Sequence, residues 1–392
     1  MTEIRELTLE RVAHQGVVVG RADGKVMFVT GGLPGERVRA EVTQRGSSFD
    51  RGHVVEVLSA APGRMMPECP VADRCGGCDW QHATPETELE LKTAVVAEQL
   101  SRLSGLTWEG RVQEVAPLTG WRSRMRYAVD GDRVGLRSRR SHEVVELPDQ
   151  GCQIAAPGPS VPQLRSLARR ATQQIEVVVA DDRTAVVVDG EGGSAPVTQR
   201  VGQRAFEVAA SGFWQVHPRA AALLTEAVIA GLDPVAGESA LDLYCGVGLF
   251  AGALADRGCD VFGVELSRPA VAAARRNVPK ARFLAAPLER ALRQLPRHTN
   301  LVVLDPPRKG AGRAVVKTVA GLGARAIAYV ACDPAALGRD LALFSEAGYR
   351  AVSVEAFNLF PRTHHVECVA ILHADRPGTA RFPGISSAEP LG

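Results

Sequence analysis

"LDLYCGVGLFAG", residues 241–252, is the stretch on which the fold turns. Its first residues read as a strand, its glycines as a tight turn and its last four residues as the opening of a helix. Gly246 and Gly248 allow the backbone to come close to a ligand, and the helix start offers unpaired amide donors to it. The spacing Gly246-x-Gly248-x-x-Ala251 also satisfies a dinucleotide fingerprint, so the turn by itself leaves the ligand open. Around it, strand-like runs at 239–243, 260–264, 281–284, 301–304, 326–331, 351–357 and 366–372 alternate with helical stretches. That alternation predicts an α/β domain, Rossmann-like, with a mostly parallel sheet covered by helices on both faces. Glu265, 19 residues after Gly246 and at the end of the next strand, suits a ribose diol.

Two further residues sit at strand ends, where such sheets bind ligands, and a third lies in a later strand. Asp305 leaves the strand at 301–304 and is followed by two prolines that stiffen its loop. An acid in that setting favours a site for a planar base beside S-adenosylmethionine over a dehydrogenase. Cys332 ends the strand at 326–331, with Asp333 placed to cap and Pro334 to begin the next helix. The positive end of that helix favours a thiolate, so Cys332 reads as a nucleophile. Glu367, in an apolar strand beside His364 and His365, reads as a general base with its pKa raised by burial. Cys245, Cys259 and Cys368 read as core cysteines. A thiol, a base and a methyl donor together suit methylation at C5 of uracil, because thiol addition at C6 turns C5 into a carbon nucleophile.

The rest of the chain limits the class. Net charge is +2 over 392 residues, so a nucleic-acid surface has to come from local clustering. No apolar run is long enough to span a bilayer, and the first twenty residues lack a secretory core, so a soluble cytoplasmic protein without a membrane partner is expected. No internal repeat is found, and no obligate protein partner is evident. Runs at 5–12, 16–21, 25–29, 37–43 and 51–57, separated by turn residues, predict a small OB-type barrel. "CPVADRCGGCDWQH", residues 69–82, holds three of the eight cysteines, and in a reducing compartment this leans toward metal. Thr84-Pro85-Glu86 opens a helix with Leu89, Val95, Val96, Leu100 and Leu103 on one face. Arg122, Arg124 and Arg126 alternate on a strand, with Arg133, Arg137, Arg139 and Arg140 following, which predicts a basic stripe for RNA phosphates.

These motifs resemble the S-adenosylmethionine-dependent RNA uracil-5 methyltransferases, in the branch with a TRAM domain and an iron–sulfur cluster. The likeness covers almost the whole chain: TLERVAHQGVVVGRADGKVMFVTGGLPGERVRA is similar to a TRAM domain, FWQVHP to the family's Gln segment, and LDLYCGVG, DPPRKG, YVACDP and HHVEC to its methyltransferase motifs. The resemblance implies Cys332 as nucleophile, Glu367 as base, and Gln215, Tyr244, Gly246, Gly248, Glu265 and Asp305 at the methyl donor or target base. It implies that Cys69, Cys75, Cys78 and Cys152 hold a [4Fe–4S] cluster and leaves His82 outside the ligand set; zinc would accept the same four thiolates. The implied organisation is a TRAM barrel at 1–59, a cluster-bearing α+β domain at 60–218, a methyltransferase domain at 219–374 and a loose tail at 375–392. Ribosomal RNA is the first substrate it implies and transfer RNA the second; a non-catalytic RNA-binding or remodelling protein is the alternative. Leu249 and Pro287 depart from the polar residues usual in the family near the donor.

Overall fold

The computed structural model describes residues 3–139, 141–375 and 385–387. Arg140 and almost all of the expected loose tail lie outside the described residues. Ile385–Ser387 is described and pairs with Leu106–Trp108.

The predicted barrel is closed, in the strand order Ile4–Val12, Val18–Ala22, Lys25–Thr30, Phe49–Ser59, Arg37–Gln44. Alternation sends Leu7, Leu9, Met27, Val29, Val38 and Ala40 inward, and pairing of residues 4–8 with 41–37 closes the wall. The central region has a five-stranded antiparallel sheet, ordered Val144–Glu146, Arg133–Arg137, Arg124–Asp130, Gln174–Val179, Thr184–Val188. Met125, Tyr127 and Val129 pack from one face against Val161 and Leu164 of the helix Val161–Ala168.

The expected basic stripe is interrupted, with Arg122 and Arg124 withdrawn from the surface. Arg124 lies beneath residues 210–212, where its Nη1 donates to the carbonyls of Ala210 and Gly212 at 2.7 Å each. Its Nε and Nη2 are buried without a partner, and burial lowers its pKa to about 10. The Arg122 pKa is likewise lowered by burial. Arg126 is exposed and pairs with Glu176 at 3.0 Å. Strand alternation put Arg124 and Arg126 on one face, but the segment 210–212 covers half of it.

The last region has an eight-stranded sheet, ordered Arg282–Ala285, Asp260–Glu265, Ser239–Leu243, Leu301–Leu304, Ala326–Ala331, Glu367–Ala374, Tyr349–Asn358, Val112–Glu114. The first five strands are parallel, as the βα alternation predicts, and Glu367–Ala374 enters antiparallel between its neighbours. Side chains of alternate residues build an apolar cluster on each face, Val303 and Ala328 in one, Leu304 and Tyr329 in the other.

The helix Pro85–Ser104, capped by Thr84 and closed by Gly105 at φ 67°, belongs to this layer and not to the central sheet. It packs on the helix Pro334–Glu346, where a Cβ at Gly338 would lie 3.0 Å from the Gln99 carbonyl. Val112–Glu114 then adds the eighth strand, and Trp108 donates through Nε1 to the Val354 carbonyl at 2.9 Å. Among the described residues no helix is long and apolar enough to cross a membrane.

Candidate active site

The strand Ser239–Leu243 delivers its chain into a turn in which Tyr244, Gly246 and Gly248 all have positive φ, 67°, 54° and 91°. Glycine meets that demand at two positions; Tyr244 is held there against its preference. Asp242, fully buried, braces the turn by accepting from Ala251 N at 2.7 Å. Burial first, then the nearby Asp305 and Glu265, pushes its pKa up to about 8. Glu265 accepts from Gly246 N at 3.2 Å and Ser267 N at 2.7 Å, which fixes its carboxylate beside the glycine turn. Leu249 is buried in the apolar cluster of one sheet face, and Pro287 caps the short helix Leu288–Ala291.

Asp305 follows the next strand, and burial pushes its pKa up to about 7. Its proline loop is tied down from the far side. Asp340 on the helix Pro334–Glu346 accepts from Ala311 N at 2.7 Å and Gly312 N at 3.2 Å. Gly310 at φ 86° is required there, since a Cβ would come within 2.6 Å of Asp340 Oδ2.

Cys332 and Glu367 meet through strand register. Residues 326–331 pair antiparallel with 373–368, ending at Ala331 and Cys368. Cys332 and Glu367 are the next residues beyond that pair, and the charge of Glu367 acts on the Cys332 thiol. Glu367 is 4% exposed. Its carboxyl pKa stands well above the usual range because of burial first and the Asp305 charge second, with the Arg308 guanidinium pulling the other way. The expected thiolate at Cys332 is not what the surroundings favour. Burial, and after it the charge of Glu367, pushes this thiol up to about 12, against the pull of Arg308. Asp333 caps the helix through Ala336 N at 2.8 Å and pairs with His14 of the barrel at 3.3 Å. Arg308, which sequence reading passed over, lies 3.2 Å from His365 Nε2 through its own Nη2. Its place in the DPPRKG run was the available signal.

Gln215 is buried in a segment clamped at both ends. Trp214 packs on Phe206, and the Val216 carbonyl accepts from Ser123 N and Oγ at 2.8 and 2.9 Å. Tyr244 is raised to about 12 by burial.

The four remaining cysteines come from two segments and are free thiols. Cys78 is buried beside Trp121 and Ile154, with Cys152 against the same group. Burial, and then Cys152 and Cys75, pushes Cys78 up to about 12. Cys75 and Cys152 are raised by burial and, less, by Cys69, while Arg139 and Arg122 respectively oppose this. The donor set therefore fits a four-thiolate group in kind. Among the described residues, however, no three His, Cys, Asp or Glu side chains are gathered to hold one metal ion. His82 points away, with Nε2 3.4 Å from the Gly32 carbonyl. Asp79 accepts from His364 and Arg139; burial works to raise its pKa, but these partners hold it at about 2.

Comparison with known proteins agrees with this architecture. Residues 2–55 match the TRAM domain, 241–302 a methyltransferase domain and 292–375 the tRNA (uracil-5-)-methyltransferase family. An RNA methyltransferase of Streptomyces avermitilis is 42% identical, over 96% of this chain and 100% of that one. The 23S rRNA (uracil(1939)-C(5))-methyltransferase RlmD of Alkalilimnicola ehrlichii is 33% identical, over 94% of this chain and 96% of that one. Among solved structures, the Pyrococcus abyssi tRNA (uracil-54, C5)-methyltransferase in complex with S-adenosyl-L-homocysteine shares the fold, with TM-score 0.72 and 22% identity over 95% of this chain and 100% of that one. The chain belongs to the TRAM-bearing family of S-adenosylmethionine-dependent RNA uracil-C5 methyltransferases.

Proposed function

We propose that this enzyme methylates C5 of a uridine in ribosomal RNA, with Cys332 as nucleophile and Glu367 as base. The observation that supports the residue roles is that the charge of Glu367 acts on the Cys332 thiol, the two residues lying next beyond the Ala331–Cys368 pair at the ends of adjacent strands. Cys332 sulfur adds to C6 of the uracil, and the C5–C6 electron pair moves toward C5 and the O4 enolate. C5 then takes the methyl group of S-adenosylmethionine and S-adenosylhomocysteine leaves. Glu367 removes the C5 proton, the C6–S bond breaks, and the thiolate departs as the double bond re-forms.

The charges of the two groups oppose each other, and the sequence of steps accommodates this. Cys332 releases its thiol proton to solvent as the sulfur adds, while Glu367 is neutral; once the sulfur has become an uncharged thioether, Glu367 releases its own proton to solvent and stands as the carboxylate that takes the C5 proton. A high-pKa carboxylate is also the stronger proton acceptor once it is ionised. Tyr244, Gly246, Gly248 and Glu265 suit the methyl donor, the last through its ribose. Asp305 and Gln215 suit the donor or the target base. The barrel and Arg126 suit RNA, and a base in folded RNA must be turned out of its stack to reach the pocket.

Ribosomal RNA is favoured because the relative named for it aligns along nearly the whole chain at 33% identity. Cys69, Cys75, Cys78 and Cys152 are assigned to a [4Fe–4S] cluster. Four thiols that influence one another electrostatically, with Arg122 beside Cys152 and Arg139 beside Cys75, support this, because the guanidinium groups would offset the negative charge of a four-thiolate group. When bound, such a group supplies a cross-link between residues 69–78 and Cys152. In this reading residues 1–59 hold RNA, 60–218 carry the cysteines and 219–374 perform the chemistry.

The test is to incubate the protein with labelled methyl donor and unmodified ribosomal and transfer RNA, and to map the label. Label at C5 of one ribosomal uridine is expected; label confined to transfer RNA overturns the substrate assignment. Anaerobically purified protein should contain iron and sulfide that Cys75→Ala loses, and one zinc per chain in their place overturns the cluster.

A further inference from the structure

The segment that delivers Glu367 is held from outside its own sheet. Residues 359–366 join two strands of the catalytic sheet, and Arg362 among them has φ 68°. One anchor is the helix Pro85–Ser104. Glu88 accepts from Arg362 N at 3.0 Å and from Asn358 Nδ2 at 3.1 Å, while Lys92 donates to Asn358 Oδ1 at 2.6 Å and to the Phe360 carbonyl at 3.1 Å.

The other anchor is Asp79, the residue after Cys78. Its Oδ2 accepts from His364 N at 3.0 Å and His364 Nδ1 at 2.7 Å, and its Oδ1 accepts from Arg139 Nη1 at 2.9 Å. Its own amide and that of Trp80 donate back to the Arg362 carbonyl at 2.8 and 3.1 Å. His364 is closed in on another side by the barrel. A Cβ at Gly16 would sit 2.7 Å from His364 Cβ, and Trp80 Nε1 donates to the Gly16 carbonyl at 3.1 Å. From His364 the contacts run inward: its ring lies 4.1 Å from that of His365, and His365 Nε2 is 3.2 Å from Arg308 Nη2. Arg308 belongs to the loop after Asp305, and Glu367 follows His365 by two residues.

We infer that Asp79 is a positioning residue for the proton-removal step: through His364 it fixes the segment that aims Glu367, so that the cysteine loop holds the base in place. This rests on the reading of Cys332 as nucleophile and Glu367 as base. A carboxylate suits the task because it takes both His364 donors on one oxygen and leaves the other for Arg139. Release of His364 leaves the Glu88 anchor intact, so the effect falls on alignment and not on the fold. Small misplacements of a reacting group carry large kinetic penalties.

The experiment uses full-length Asp79→Ala, Asp79→Asn and His364→Ala, with wild type and Glu367→Gln as references, unmodified RNA transcript and labelled methyl donor. Metal content and melting temperature are measured for each preparation. For Asp79→Ala, kcat should fall by about ten- to a hundredfold and KM should fall with it, so that kcat/KM stays within about threefold. The methylated covalent protein–RNA adduct should form a larger share of the enzyme at steady state, because its breakdown has become slow. Asp79→Asn, whose amide oxygen still accepts from His364, should recover part of the loss, and His364→Ala should resemble Asp79→Ala. The inference is overturned if Asp79→Ala and His364→Ala keep the wild-type kcat, or if kcat falls with the adduct share unchanged. If Glu367→Gln accumulates no adduct, the base assignment itself has failed and the inference falls with it. If Glu367→Gln traps adduct and Asp79→Ala does not, the inference alone has failed.

Discussion

Glu88 and Lys92 bury opposite charges against each other, 2.8 Å apart and saturated with hydrogen bonds, whereas Asp242, Asp305 and Glu367 bury acids toward one another. Both groups bear on the same segment of chain, since Glu88 holds Arg362 and Glu367 lies just beyond it. In the first, every charge is answered and the segment is anchored. In the second, three acids are pressed toward their neutral forms, with Arg308 as a cation acting on Glu367 and Cys332. The difference separates a region that secures the fold from one that holds carboxyls near their neutral forms at a cost in stability, as the base proposed at Glu367 requires.

The largest expected effect is at the second group. Cys332→Ala should reduce methyl transfer and adduct formation below detection, because C5 is never activated. Glu367→Gln should instead add and methylate but fail to release, giving a labelled, slow-migrating protein–RNA band on denaturing electrophoresis. Normal turnover by Glu367→Gln breaks the contrast at once.

Next comes the anchor. Lys92→Ala leaves Glu88 buried without its cation and should cost about 3–5 kcal/mol in urea unfolding. Lys92→Met, which keeps the volume, should cost little less, because the loss comes from the uncompensated carboxylate. A cost below about 1 kcal/mol would mean that the pair is not an anchor.

The smallest effect is a slope. Asp242 has its folded pKa raised from 3.8 to about 8, so the folded state binds more protons than the unfolded state between those values, and stability falls as pH rises through that window. Asp242→Asn should remove about 1.4 kcal/mol per pH unit of that decline, read from unfolding midpoints at pH 5, 6 and 7. The same decline in both proteins would place the charge burden elsewhere.

The strands of the barrel and of the parallel sheet were legible because each is a short run whose burial alternates or is continuous, a purely local signal. Asp305 and Cys332 were legible as strand-end residues, and Glu367 as a charge in an otherwise apolar strand. Their meeting was not, because it depends on the last strands entering antiparallel, with Glu367–Ala374 inserted beside Ala326–Ala331. The same holds for Asp79 and His364, 285 residues apart, and for Lys92 and Asn358, 266 apart, which no periodicity connects. Two local rules misled. Alternation put Arg124 on an open face that residues 210–212 cover, and the helix start beside Cys332 was outweighed by its burial.

The helix Pro85–Ser104 rests on the helix Pro334–Glu346, and Val112–Glu114 completes a sheet whose other strands come from residues 239–374. During synthesis these early residues leave the ribosome long before the surface that receives them. Buried Val96 and Leu100 of the helix, and Trp108 after it, must wait in a chain still being made, exposed to chaperones or to chance association. The enzyme is therefore not a string of modules that mature in order. A nascent chain stopped before residue 334 carries a finished barrel beside an unfinished catalytic half, and ribosome-bound intermediates of that length should be the point at which this protein most needs help to fold.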